Sequence, residues 1–297
     1  MKMKTQSIVF MLLVMLMVTA GCAKTEMKVT VASKPHTEQY ILAEIISQLI
    51  ENKTDIKVER KMGIGGGTSN IHPAMLNGDI DIYPEYTGTA WLFVLKEDQG
   101  KTKELMYDAL KKAYSEKFHI KWLGRYGFNN TYTLALPEKI AVDNNINTFS
   151  ELANASSQYV LGAEYDFFER EDGYKGLSKM YGFNFKNTKE IDIGLKYVAI
   201  ASKKVDVINA FSTDGLLLKE KLRVLKDDRN YFPTYEAATL IREETLKKYP
   251  ELDKLLGQLT GKISDEKMIK MNYAVEIEKK DPSLVAKEFL REEGMIK

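Results

Sequence analysis

Three histidines, His36, His72 and His119, and one cysteine, Cys22, are the side chains best suited to metal ligation or nucleophilic attack in this chain. No two of the histidines stand at metal-ligand spacing, and a single cysteine cannot complete a zinc site. There is no Gly-x-Ser-x-Gly elbow. The glycine run Gly63 to Gly67 lacks the lysine of a phosphate loop. Gly257 to Lys262 sets its glycines one residue too close and has Ile263 where Ser or Thr is needed. The run at 63–67 reads as a tight turn, although amides at the start of the following helix could face a pocket. With 42 acidic residues many carboxylate pairs are possible, and nothing in the sequence selects one. The expectation is a protein that is not an enzyme and has no cofactor and no metal.

The elements that would position any site alternate. Met27 to Ala32 alternates apolar and polar residues, as a strand does. Thr37 to Glu51 places Ile41, Leu42, Ile45, Ile46, Leu49 and Ile50 on one helical stripe. Ile56 to Met62 is a second strand. A turn at Gly63 to Ser69 leads into a short helix through Met75, and Asp79 to Tyr83 is a third strand. Strands separated by helices suggest a parallel α/β sheet. Further along, Lys103 to Phe118, Gly173 to Tyr181 and Gly194 to Lys204 read as helices. Thr131 to Leu136, Tyr159 to Glu164, Val205 to Phe211 and Ala238 to Arg242 read as strands, and the tail from Glu243 as mostly helical. No repeat and no flexible linker appears, so two domains would be joined by more than one crossing.

The N-terminus has the layout of a secretory signal peptide. Lys2 and Lys4 precede an apolar run, Ile8 to Ala20, broken only by Thr19, and small residues lead to Cys22. The run is short of the about 20 apolar residues that span a bilayer. Val18-Thr19-Ala20-Gly21-Cys22 resembles a bacterial lipobox, with Thr19 where an aliphatic residue is usual. The expectation is a signal peptide at 1–21, acylation (palmitate) at Cys22, a tether at 22–26, and an exported protein held on the membrane by lipid. With one cysteine there is no internal disulfide. About 275 residues follow Cys22, enough for two domains. A net charge of +1 from 43 basic and 42 acidic residues argues against nucleic acid as a partner.

Seven segments, in order along the chain, resemble the osmoprotectant-binding proteins of ABC importers, the binders of glycine betaine, carnitine and choline. They are Ser33 to Gln39, Gly65 to Ser69, Tyr83 to Thr89, Asn129 to Tyr132, Phe168 to Gly173, Asp206 to Asp214 and Tyr231 to Ala237. The Tyr86-Thr87-Gly88-Thr89 segment is the most specific. The resemblance implies a two-lobed α/β fold of the periplasmic-binding-protein type (type II), with the ligand cleft between the lobes and two chain crossings. Lobe one would be 27–133 and 238–297, and lobe two 134–237.

The resemblance also implies an aromatic box around a quaternary ammonium, at Tyr86, Tyr132, Phe211 and Tyr235. Physics favours such a box, since a trimethylammonium group has no N–H to donate and aromatic faces attract it at roughly 0.5–2 kcal/mol each. Relatives usually carry tyrosine where this chain has Phe211, which keeps the π face and loses a hydroxyl. Lys34 and Arg170 match the family's cationic clamp for a carboxylate, with Thr89 as a hydroxyl donor and Gln39 and Asn130 as further contacts. The implied protein is a monomeric extracytoplasmic solute-binding lipoprotein serving osmoprotectant uptake, whose permease and ATPase partners are other chains. Glycine betaine, carnitine or proline betaine is the expected ligand. Alternatives are choline, which lacks the carboxylate, another small solute, or a surface hydrolase, for which no motif is present.

Overall fold

The computed structural model describes residues 27–98, 103–171 and 173–297. The signal segment, Cys22, the tether and Asp172 lie outside the described residues. Among the described residues ten strands form two sheets. The first holds β1 (Lys28–Ala32), β2 (Lys57–Lys61), β3 (Ile82–Tyr86), β4 (Ile120–Asn129) and β10 (Glu236–Arg242), in the order β2-β1-β3-β10-β4. The second holds β5 (Tyr132–Pro137), β6 (Val160–Ala163), β7 (Asn187–Glu190), β8 (Val207–Phe211) and β9 (Leu222–Val224), in the order β7-β6-β8-β5-β9.

Both sheets are mixed, where alternating strands and helices suggested parallel ones. β1, β2 and β3 run parallel, but β10 pairs antiparallel with both β3 and β4. It enters from the second lobe, against the direction of its neighbours. Tyr132 and Thr133, assigned from the sequence to the first lobe, pair with Phe211 and Ala210 of the second sheet. Glu236 and Ala237, assigned to the second lobe, lie on β10. The chain thus crosses at 130–131 and returns between β9 and β10.

The apolar stripe of the helix Thr37–Lys53 is buried along its length, from Ile41 to Ile50. Each such Ile or Leu contributes about 1.5–3 kcal/mol of burial before conformational entropy is set against it. The stripe packs on the C-terminal helix Pro282–Glu292 and on the first sheet. That anchorage fixes the N-terminal turn of Thr37–Lys53, and with it Glu38 and Gln39, beside the junction of the lobes. Among the described residues no helix is long and apolar enough to cross a membrane, and no group of three or more His, Cys, Asp or Glu could hold a metal ion.

Candidate functional site

A cleft of about 1590 Å³ lies between the sheets. From the first lobe and the crossings it is lined by Lys34, Tyr86, Thr89, Asn130 and Tyr235, and from the second by Tyr132, Arg170 and Phe211. Eight of the nine side chains that the sequence marked therefore share one cavity. Gln39 does not line it: this fully buried residue lies beneath Lys34, and its Oε1 accepts from the Lys34 N–H at 3.4 Å.

The aromatic residues meet because strand ends bring them together. Tyr132 and Phe211 are direct cross-strand partners on β5 and β8, with centroids 4.9 Å apart and planes tilted by 35°. Tyr235, just before β10, stands edge-on to Tyr132 at 6.1 Å and 87°. Tyr86 ends β3 on the opposite lobe and stacks with His36 at 6.3 Å. Burial, then the positive charges of Lys34 and Lys196, push the His36 imidazole down to about 3, so it is a neutral ring at physiological pH. Gly88 lets this wall close. A Cβ there would come within 2.6 Å of the Tyr235 ring.

Two buried lysine–carboxylate pairs sit against the rings. Lys34 Nζ lies 5.0 Å from the Tyr86 centroid and is paired with Glu85 of β3. Glu85 also accepts from the Tyr86 N–H at 2.8 Å, the Thr68 hydroxyl at 3.0 Å and the Tyr83 hydroxyl at 3.4 Å. Burial lowers the Lys34 pKa, with Glu85 acting against that shift. In the second lobe Lys196 Nζ lies 4.7 Å from the Phe211 centroid and 3.2 Å from Glu164 Oε2, while the buried Glu164 Oε1 has no partner. Because Lys34 is matched by Glu85, a solute carboxylate there would meet a neutral pair rather than a second cation. Arg170, carried by the second lobe, reaches across the mouth to within 5.6 Å of the Phe93 ring of the first lobe. Its planar guanidinium has the geometry to bind a carboxylate through two parallel hydrogen bonds.

Glu38, Glu85, Glu164 and Lys196 were not singled out from the sequence. The first two fall inside the segments quoted above, next to residues that were. Lys196 carries no local signal, since a lysine in a short helix is ordinarily a solvated one.

The crossings are stitched together beside the cleft. The Asn130 N–H donates to the Tyr235 carbonyl at 3.1 Å, and the Tyr235 N–H donates to Asn129 Oδ1 at 2.7 Å. Ser212 ties the second sheet to the same point, accepting from the Thr131 N–H and donating to the Asn129 carbonyl, both at 3.0 Å. Two lobes pivoting on such a junction, with a cleft between them, form the arrangement that closes around a small solute.

Residues 27–292 match the family described as the substrate-binding domain of the ABC-type glycine betaine transport system. The chain belongs to this family. A Listeria monocytogenes carnitine transport binding protein is 42% identical over 257 residues, covering 86% of this chain and 83% of that protein. A Helicobacter pylori protein described as an ergothioneine transport permease and ergothioneine binding protein is 48% identical over 270 residues. That alignment takes in 91% of this chain, which spans about half (48%) of the relative's length. Among solved structures, a glycine betaine/carnitine/choline ABC transporter protein superposes with a TM-score of 0.78 at 33% identity, covering 90% of this chain and 99% of that one. As a member of the glycine betaine substrate-binding family, the chain has the two-lobed α/β architecture that its sequence segments implied.

Proposed function

We propose that this chain is the extracytoplasmic solute receptor of an ABC importer and that it captures a zwitterionic quaternary ammonium compound. The observation that carries the proposal is the convergence of Tyr86, Tyr132, Phe211 and Tyr235 with Arg170 in one interlobe cleft. The rings take the trimethylammonium head, whose charge needs π faces rather than hydrogen-bond acceptors. Arg170 takes the carboxylate, with Thr89 and Asn130 lining the space between. Residues 27–131 and 236–297 serve as one lobe and 132–235 as the other. Solute contacts from both favour the closed state, because only closure completes the site.

In this reading the protein binds and releases without chemistry on the solute. A permease and an ATPase on other chains carry out transport, and Cys22 holds the receptor on the outer face of the membrane as a lipoprotein. Glycine betaine, carnitine and proline betaine fit the box and the arginine. A second reading is a larger betaine with its own N–H or O–H donor, as the H. pylori relative's name suggests for ergothioneine. The unpartnered Glu164 Oε1 among the lining residues favours it.

Isothermal titration of the purified mature protein with glycine betaine, carnitine, ergothioneine and choline separates these readings. Arg170→Ala is expected to weaken a betaine about 10- to 100-fold, the worth of a charge-assisted hydrogen bond, and to leave choline nearly unchanged. Tight choline binding with no response to any betaine would remove the carboxylate reading and keep the box. Silence toward all four would overturn the solute class.

A further inference from the structure

Glu38 stands in the first turn of Thr37–Lys53 and is 3% exposed. Its Oε1 accepts from the Tyr86 hydroxyl at 2.6 Å and Asn130 Nδ2 at 2.8 Å. Its Oε2 accepts from the Thr213 hydroxyl at 2.7 Å and Asn272 Nδ2 at 3.2 Å. The four donors come from the cleft wall, the first crossing, the second lobe and the helix Asp265–Glu276. Two donors on each oxygen match an ionised carboxylate, which is acceptor-only. Burial pushes the carboxyl upward in pKa, and the four hydrogen bonds act against that shift.

The second lobe is pressed onto this point. The Thr213 carbonyl accepts from Asn272 Nδ2 at 2.8 Å. A Cβ on Gly215 would lie 2.6 Å from the Tyr273 backbone nitrogen, so only glycine permits this approach of the second lobe to the helix Asp265–Glu276. Glu38 itself does not line the main cleft, but it lines a smaller adjoining pocket of about 260 Å³ that shares His36, Asn130 and Phe211 with it.

We propose that Glu38 is a positioning residue that couples the seating of a solute against Tyr86 to the approach of the second lobe through Thr213. The carboxylate is a rigid plane. A turn that follows the Tyr86 hydroxyl at Oε1 moves Oε2, and with it the Thr213 hydroxyl on the other lobe. The inference rests on the solute-receptor reading and adds to it a residue that acts without touching the solute.

The test is a double-mutant cycle on solute Kd in the purified mature protein. Tyr86→Phe keeps the ring and removes its hydroxyl, and Thr213→Val does the same in the second lobe. Each is expected to weaken binding about 3- to 10-fold, the worth of one buried hydrogen bond. The double variant should fall short of the product by at least about 3-fold, since both act through one carboxylate. Purely additive losses would overturn the inference.

Glu38→Gln supplies the second measurement. Its amide must face one of the two oxygens' donor pairs, where a hydroxyl can turn to accept but an asparagine must flip its whole amide to do so. Spin labels at Lys112→Cys in the first lobe and Lys175→Cys in the second read the lobe separation. The solute-induced shortening seen in the parent should be reduced or lost in Glu38→Gln, and an unchanged shortening would overturn the coupling. If that variant does not fold, the cycle alone decides. A parent that binds none of the four solutes overturns the receptor reading, and this inference with it. A parent that binds, with additive variants, overturns only the role of Glu38.

Discussion

The two lobes share one plan and differ in how completely it is executed. Each sheet has three parallel strands, then an antiparallel strand adjoining a crossing, then one more strand. Each sets a lysine ammonium on an aromatic face and a buried carboxylate beside it, Lys34–Glu85 at Tyr86 and Lys196–Glu164 at Phe211. In the first lobe Glu85 has four donors. In the second, Glu164 Oε1 and the neighbouring Asn209 Nδ2 have no partner. A satisfied buried network is rigid, and a half-satisfied one leaves capacity to be filled. Of the two pairs, the Glu85 carboxylate is thus the more fully bonded, and Glu164 keeps an unfilled acceptor.

The sharpest way to break this comparison is to remove both carboxylates in turn. Glu85→Ala strands a buried ammonium and is expected to cost about 3–5 kcal/mol of stability in denaturant unfolding. Glu164→Ala should cost about 1–2 kcal/mol less, because three fewer hydrogen bonds are lost. Equal costs would show that the two networks are equally finished.

Next in size is a group that reaches from one lobe to the other. Burial, then the Asp214 carboxylate, push the Glu276 carboxyl up to about 7, despite the Thr37 hydroxyl and the Leu216 and Gly215 N–H groups nearby. A raised folded-state value means that the fold holds this proton more tightly than the unfolded chain does. Its stabilising effect is complete below about 4.5 and is lost as pH rises through about 7. Glu276→Gln should therefore match the parent in unfolding free energy at pH 4.5 and exceed it above pH 7, by about 1–3 kcal/mol, as read by denaturant unfolding. A variant less stable than the parent at pH 8 would show that the ionised carboxylate is well accommodated.

The smallest effect makes the lobes more alike. Phe211→Tyr restores to the second lobe's ring the hydroxyl that Tyr86 has in the first. Phe211 is only half-buried, so a new hydroxyl need not be left dry. Betaine affinity is expected to change by less than about 3-fold, since the π face is kept. A larger change would mean that the ring's hydroxyl, and not its face, sets the preference.

Much of the frame was legible in the sequence because it is periodic. The stripe from Ile41 to Ile50 and the helix Lys103–Phe118 follow from spacing alone. β4 does not, although Ile120, Trp122, Tyr126 and Phe128 are buried along it. Gly124 and Gly127 interrupt its alternation, and both are there for reasons that only packing reveals. A Cβ on Gly124 would meet Thr260 at 2.0 Å, and Gly127 has φ +118°. The cleft lining was found through the ordered segments and not through periodicity, since Tyr132 and Tyr235 meet only in three dimensions. Buried charge was the least visible. Lys196 and Glu38 have the composition of surface residues, and only their partners make them interior ones.

The placement of β10 has a consequence for how the chain comes to be folded. It lies between β3 and β4, yet it follows the whole second sheet in sequence. During synthesis and export the second lobe, continuous from Tyr132, can assemble while the first still has a gap at its centre. Until residues 236–242 arrive, β3 and β4 each present an unpaired edge, the kind of surface that recruits other strands. The first lobe is therefore the slow half, closed late by a contact of long sequence separation. A cell making this protein must shield those edges while the second lobe, residues 132–235, is made and until residues 236–242 emerge.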